Sequence, residues 1–290
     1  MMKRDVAHDK HFSAKIEEEQ YFDFSTPYGY GGWIIEGYDT GQLFADYEKW
    51  CQNNKVICEF VRFHPVLMNH VFSAKSYEVT TLGHTVALDL SSPEVIWANM
   101  TSKNRNVIRK AQKNGVKIYN GRYPEIFETF RVIYNDTMDK DFAGEYYYFS
   151  DKFYETILDD LVHNAQLFYA VHEGVVVAAS IMLAANSRMS YHLSGSLREY
   201  AGLAPTNLLL YEAALWGCAN GCKTLHLGGG VGSSQDSLYK FKKAFNRKDD
   251  LTFYIGKKVF LPSIYDKLID IRRIEKSFDL DTKYFPAYRA

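Results

Sequence analysis

Residues 225–245 read LHLGGGVGSSQDSLYKFKKAF, and this stretch decides how the rest of the chain is read. Thr224–Leu227 has the apolar, β-branched character of a buried strand. Gly228, Gly229 and Gly230 follow as a flexible turn, and Asp236 stands where an N-cap belongs. Lys240, Lys242 and Lys243 then fall on a short helix. A nucleotide loop is excluded: there is no Gly-Lys-Ser/Thr ending and no Gly-x-Gly-x-x-Gly spacing. A lysine presented beside a glycine turn suits the stabilisation of an oxyanion.

Working upstream, Pro205, Thr206 and Asn207 start a helix whose apolar face is Leu208, Tyr211, Leu215 and Ala219, ended by Gly221. Before it comes a three-strand meander, 167–172, 175–184 and 189–194, with Glu173-Gly174 as a hairpin-type turn. Helices are predicted over 124–138 and 151–163, separated by a tyrosine-rich loop. The first half is also mixed α/β. Strands are expected at 33–35, 56–63, 78–81 and 85–90, the last two joined by a Leu-Gly-His turn, with a helix over 43–52. A helix capped by Ser91 or Ser92 is expected to break near 99–102 and resume to Lys113, with a short strand at 116–119. The predicted division is 1–120 and 121–290.

The chain has 290 residues, with 34 Lys+Arg against 35 Asp+Glu. This balance excludes a generally basic nucleic-acid binder. Hydrophobics at 47% exclude disorder as the main state. Tyr is abundant at 22 residues, which suits a surface that grips a polar ligand. The charged N-terminal stretch has no apolar signal region, and no segment is long and apolar enough to span a membrane, so a cytoplasmic location is expected. Cys51, Cys58, Cys218 and Cys222 are expected to be buried free thiols, without a zinc pattern. No metal is expected.

Net neutrality conceals a basic run at 103–117, where Arg105, Arg109 and Lys113 share a helical face. A solvated face is the plain reading; a grip on phosphate or RNA backbone is the functional one. The loop Tyr28-Gly-Tyr30-Gly-Gly32 is either a structural turn or a substrate-lining loop. His192 and His226 sit in apolar strands and read as core histidines.

At these segments the sequence resembles the FemABX-type branch of the GNAT superfamily, the peptidoglycan-bridge aminoacyltransferases and their cell-envelope relatives. The resemblance rests on Tyr28–Gly32, on FVRFHPVLMN at 60–69, on 103–116, and on Tyr191–Gly195 through 225–245. It implies an α/β (α+β) fold of two tandem GNAT-like halves, each a mostly antiparallel mixed sheet flanked by helices. It implies an acyl donor held in the second half. By the same resemblance, Phe241-Lys242 matches the pair whose lysine stabilises the tetrahedral intermediate. Tyr191 matches a tyrosine near the acceptor, and Lys140 with Tyr147 falls where relatives contact an acceptor diphosphate.

The expected function is therefore an acyltransferase moving an acyl or aminoacyl group onto an amine of an envelope precursor or amino sugar. Gly228, Gly229, Gly230, Thr206 and Asn207 are expected on the donor side. Tyr28, Tyr30, Arg105, Arg109, Lys140, Tyr147 and Tyr191 are expected on the acceptor side. Acyl-CoA and aminoacyl-tRNA both remain open as donors, with neutral charge favouring a small thioester. The long coiled-coil arm common in bridge enzymes is absent from the pattern. The alternative is a non-catalytic carbohydrate- or nucleotide-binding module on the same scaffold.

Overall fold

The computed structural model describes residues 1–27, 29–37 and 40–290. In chain order the elements are β1 (Met2–Asp5), β2 (Phe22–Ser25), α1 (Gly41–Asn53), β3 (Val56–Arg62), α2 (His70–Ser73), β4 (Glu78–Asp89), α3 (Pro93–Asn99) and α4 (Ser102–Lys113). There follow β5 (Lys117–Gly121), α5 (Pro124–Lys140), α6 (Asp151–Asp159), β6 (Ala165–His172), β7 (Val175–Ala185) and β8 (Arg188–Ser196). The chain ends with α7 (Pro205–Ala219), β9 (Thr224–Gly228), α8 (Ser237–Lys243), β10 (Leu251–Val259) and α9 (Pro262–Arg273). Backbone packing groups these into two compact units, Met1–Gly83 with Thr252–Ala290, and His84–Leu251. These units do not cut the chain at residue 120.

In the first unit the strand order is β1-β2-β3-β10, with β4 beside β10. β2 and β3 run parallel, and β10 returns antiparallel to β3 with Ile255 opposite Arg62. One core joins Val6, Phe12, Ile57, Cys58, Leu268 and Tyr288. A second joins Phe44, Val61, Phe63 and Tyr77 under Trp33. Asp23 is wholly buried, yet it accepts hydrogen bonds from Arg4 Nε at 2.6 Å, Tyr288 OH at 2.9 Å and Arg289 Nε at 2.6 Å. Glu59 is equally buried and accepts from Tyr77 at 2.6 Å and Tyr47 at 3.0 Å. Burial raises its carboxyl above the usual carboxylate range, against the pull of the two phenols.

The second unit is a sheet in the order β4-β9-β8-β7-β6-β5, antiparallel except for β8 and β9. Alternate residues of the central strands feed two cores, as the period of two requires. Phe168, Ala170, Ala178 and Met189 pack with α3, α4 and α7. Leu167, Ala179, Ile181 and Leu193 pack with α5 and α6. Gly195 lets α5 approach β8: a Cβ there would lie 2.7 Å from the Ile133 carbonyl oxygen.

Several expectations are corrected. Residues 33–35 form no strand, because only Gly31 bridges to Phe63 and the carbonyls of Gly31 and Trp33 are held instead by the Asn69 amide at 2.9 and 3.0 Å. The Leu-Gly-His turn does not exist; β4 runs through it as one strand. Cys51 and Cys58 are buried, but Cys218 and Cys222 are only half-buried, each packed against the α3–α4–α7 core. The α3–α4 break falls where expected, with Thr101 capping α4 by accepting from Asn104 N at 3.2 Å.

Candidate active site

β8 and β9 are parallel neighbours for only three pairs, Arg188 with Thr224, Met189 with Leu225 and Ser190 with His226. Beyond that ladder, β8 continues with Tyr191 and β9 with Leu227 and Gly228. A parallel pair that stops part-way leaves unladdered backbone on both strands, which is where an outside group can enter. Lys242 of α8 stands at this parting. Its Nζ donates to the Gly229 carbonyl at 2.7 Å and lies 5.8 Å from the Tyr191 ring centroid.

The local sequence explains that placement. Gly228 adopts φ +77, and a Cβ on it would meet Lys242 Nζ at 3.5 Å. Gly229 crosses the His84 carbonyl so closely that a Cβ would lie 2.6 Å from the oxygen. At Gly230 a Cβ would collide with the Ser234 carbonyl and the Asp236 carboxylate. Asp236 then clamps both ends of the turn. One oxygen accepts from Tyr239 N at 2.9 Å, capping α8, and the other accepts from Val231 N at 3.0 Å. These backbone donors, Tyr239 first, hold the Asp236 carboxyl below its ordinary range. At the other end of α8, Asp250 accepts from Tyr239 OH and pairs with Lys243 at 2.5 Å.

Lys242 is 8% exposed. Burial pulls its ammonium down to about 8, and the charge of Asp236 opposes that fall. The aromatic face and carbonyl favour a cation, but neither is a counter-ion. Tyr191 packs on the α3–α4–α7 core, and Phe241 packs there too, edge-to-face with Phe245 at 5.6 Å. Burial raises the Tyr191 hydroxyl, while the hydroxyls of Ser194 and Ser180 draw it back. Ser180 donates to Ser194 at 2.7 Å. His192 is the extra residue of a bulge, since Ile181 opposes Leu193 and Met182 opposes Tyr191. Burial lowers His192 to about 4, and it lies near Phe153. His226 is a satisfied core histidine, 2.9 Å from Thr85 Oγ1.

The remaining expected residues are placed as follows. Asn207 at the start of α7 donates to Asn104 Oδ1 at 2.8 Å, and Thr206 is half-buried beside it. Ala204 precedes them at φ +51, with no side chain capping α7. Arg105 donates to the Met100 carbonyl at 2.7 Å and to the Trp97 carbonyl at 3.4 Å, so its cation closes the end of α3. Arg109 lies over the Trp97 ring at 5.0 Å. Lys140 pairs with Asp136 at 2.5 Å on α5. The Tyr147 carbonyl accepts from Tyr134 OH at 3.0 Å, and the loop packs with the α5–α6 core. That is the face of the sheet opposite Tyr191. Tyr30 belongs to the first unit, 5.3 Å from Phe253, and Tyr28 lies outside the described residues.

The structure thus brings together Lys242, Tyr191 and Gly228–Gly230. It adds Asp236, Ser180 and Ser194, which sequence reasoning left out of the site. Serines at inward positions of apolar strands are the signal that could have found the last two. Among the described residues no cluster of three or more His, Cys, Asp or Glu is arranged to hold a metal.

Residues 102–243 match the family model described as an acetyltransferase (GNAT) domain. No curated protein matches in sequence. The fold is similar to that of FemX, with TM-score 0.64 at 13% identity over 87% of this chain and 84% of that one. It is also similar to the C-terminal domain of a putative lysylphosphatidylglycerol synthetase from Agrobacterium fabrum, with TM-score 0.58 at 13% identity over 86% and 82%. L-PGS from Bacillus licheniformis gives 0.56 at 14% identity over 84% and 79%. Residues 102–243, which match the acetyltransferase (GNAT) domain model, carry the parted strands and Lys242, and the chain as a whole is similar in fold to FemX.

Proposed function

We propose that the protein transfers an acyl or aminoacyl group from an activated ester or thioester to an amine of a cell-envelope precursor or amino sugar, in the cytoplasm. The observation that carries this reading is Lys242, a buried ammonium at the parting of β8 and β9 that touches a carbonyl and an aromatic face and has the Asp236 charge nearby but no ion pair among the described residues. A donor carbonyl entering the parting would develop negative charge on oxygen as the amine attacks. The ammonium then answers that charge at low dielectric cost, without reorganisation. The N–C bond forms, the C–S or C–O bond to the carrier breaks, and the amine proton leaves with the carrier or to water. Tyr191 would border the acceptor side, and backbone donors at Gly228–Gly230 and the start of α7 would hold the donor.

The resemblance to FemABX-type enzymes supports the envelope acceptor, and the lysylphosphatidylglycerol synthetase likeness in fold is compatible with an aminoacyl donor. The donor we favour is a small thioester, because Arg105 is occupied at the end of α3 and Arg109 with Lys110 and Lys113 leaves a short basic stripe. A thiol-release assay with acetyl-CoA, run beside filter binding of charged tRNA, separates the two donors. Lys242→Ala is expected to lower turnover by a factor on the order of 10²–10³ while leaving the thermal midpoint within a few degrees of the parent. Parental turnover in that variant overturns the assignment.

A further inference from the structure

The two oxygens of Asp236 have different duties. Oδ1 accepts from Tyr239 N at 2.9 Å, which caps α8. Oδ2 accepts from Val231 N at 3.0 Å, which ties the preceding turn to the start of that helix. A serine caps a helix as well as an aspartate does. Its one short oxygen cannot also reach back across the turn, so the second duty is what requires the carboxylate. The turn has little else to hold it. Val231 is 67% exposed, and Gly232 and Ser234 are exposed beside it, so packing does not anchor the tip. Gly232 at φ +58 and Ser233 at φ +65 are consecutive left-handed residues, a conformation that serine adopts only at a cost. The other hydrogen bonds of residues 230–235 close within the turn. Ser233 N donates to the Gly230 carbonyl at 3.3 Å, and Ser234 N and Oγ donate to the Val231 carbonyl at 3.1 and 2.8 Å.

The near end of this turn carries the partner of Lys242. Nζ donates to the Gly229 carbonyl at 2.7 Å. A Cβ on the next residue, Gly230, would lie 2.3 Å from Asp236 Oδ1, so the carboxylate is pressed against the backbone beside that carbonyl. One side chain therefore fixes both ends of the Lys242 geometry: the start of the helix that carries the lysine, and the backbone to which its ammonium is bonded. The other cations of α8 have no share in this. Lys243 is answered by Asp250 at 2.5 Å, and Lys240 is exposed. Loosening the turn would let the Gly229 carbonyl move, and with it the one hydrogen bond that stations Nζ. Small displacements of this kind are what misalign a reacting group.

We propose that Asp236 is a positioning residue that, by holding Val231 N while it caps α8, stations the Lys242 ammonium on the Gly229 carbonyl. Its effect on turnover rests on the acyl-transfer reading above, while its effect on the turn rests on geometry alone, so the two are measured separately. Asp236→Ser keeps a cap for α8 and removes the Val231 bond. Its thermal midpoint is expected within a few degrees of the parent. Hydrogen exchange read by mass spectrometry is expected to quicken over 229–235 and to stay parental in β6, β7 and β8. Lys242 is expected to react faster with acetic anhydride at a fixed pH. With the donor that the parent accepts, kcat is expected to fall about ten- to a hundredfold while the donor KM stays near parental. Asp236→Asn can accept from Tyr239 N but turns an amide NH2 toward Val231 N, so it should match Asp236→Ser and restore none of the kcat. A role in capping alone predicts parental exchange over 229–235 and a parental kcat in both variants. Parental exchange and labelling in Asp236→Ser, or a parental kcat beside a loosened turn, overturns the proposal. A parent that turns over neither acetyl-CoA nor charged tRNA sinks the acyl-transfer reading instead, and faster exchange and labelling in Asp236→Ser then still uphold the stationing of Lys242.

Discussion

Asp23 in the first unit and Lys242 in the second are both buried charges, and they keep opposite company. Asp23 is surrounded by two guanidiniums and a phenol, all within hydrogen-bond distance. Lys242 has one carbonyl partner and a ring, and the nearest acid, Asp236, has its oxygens turned to backbone N–H groups. A buried charge with every valence answered holds structure together. A buried charge left short of a counter-ion is a cost that packing alone does not explain, and such groups gather where chemistry is done. The contrast therefore separates a structural ion cluster from a poised one, although burial alone would rank them together.

The largest expected effect breaks the structural member. Asp23→Ala would leave Arg4 and Arg289 without their shared carboxylate and Tyr288 OH without its acceptor. It is expected to cost about 3–5 kcal/mol in urea unfolding. Lys242→Ala should cost far less stability, since it removes a charge that burial penalises. Equal destabilisation by the two substitutions would erase the distinction.

The next effect is a pH dependence. The folded Lys242 titrates near 8, below the ordinary lysine range of 10.5. Between these values the unfolded chain holds a proton that the folded one has released. Stability contributed through this group therefore rises with pH from about 8 to 10.5, on the order of 3 kcal/mol across the window. If Lys242 acts as proposed, activity should move the other way, because the ammonium that would answer the oxyanion is lost as pH climbs through about 8. Urea midpoints and initial rates measured at matched pH check both limbs. In Lys242→Met the rise in stability should vanish; if it persists unchanged, another group carries it.

Much of the second unit was legible because its signals are local. Asp236 before Ser237, Pro205 before an apolar helix, and Asn114-Gly115 after a basic one are each capping or stop chemistry contained in a few residues. Lys242 was reachable for the same reason. The elements that escaped depend on distant partners. β1 and β2 are four residues each and owe their existence to pairing, in part with β3. β10 and α9 return to the first unit from the end of the chain, which no local pattern announces. The Trp33 segment carries strand-forming residues, but Asn69 takes its carbonyls. At the site, Ser180 and Ser194 are directly opposed, and it is the bulge at His192 that turns Tyr191 to the face they share. The basic run at 103–117 read as a single stripe, yet Arg105 turns along its own helix to close α3.

The smallest expected effect probes whether that serine pair belongs to the poised region or merely packs beneath it. Tyr191→Phe removes one hydroxyl and keeps the ring over which the Lys242 ammonium lies. Ser180 and Ser194 still bond to each other, so no buried hydroxyl is stranded. The loss should be about 1 kcal/mol in unfolding and no more than roughly tenfold in turnover, with the acceptor KM rising more than kcat falls. A drop approaching that of Lys242→Ala, with stability intact, would mean that the Tyr191 hydroxyl touches the reacting atoms and that the poised cluster extends from α8 into β8.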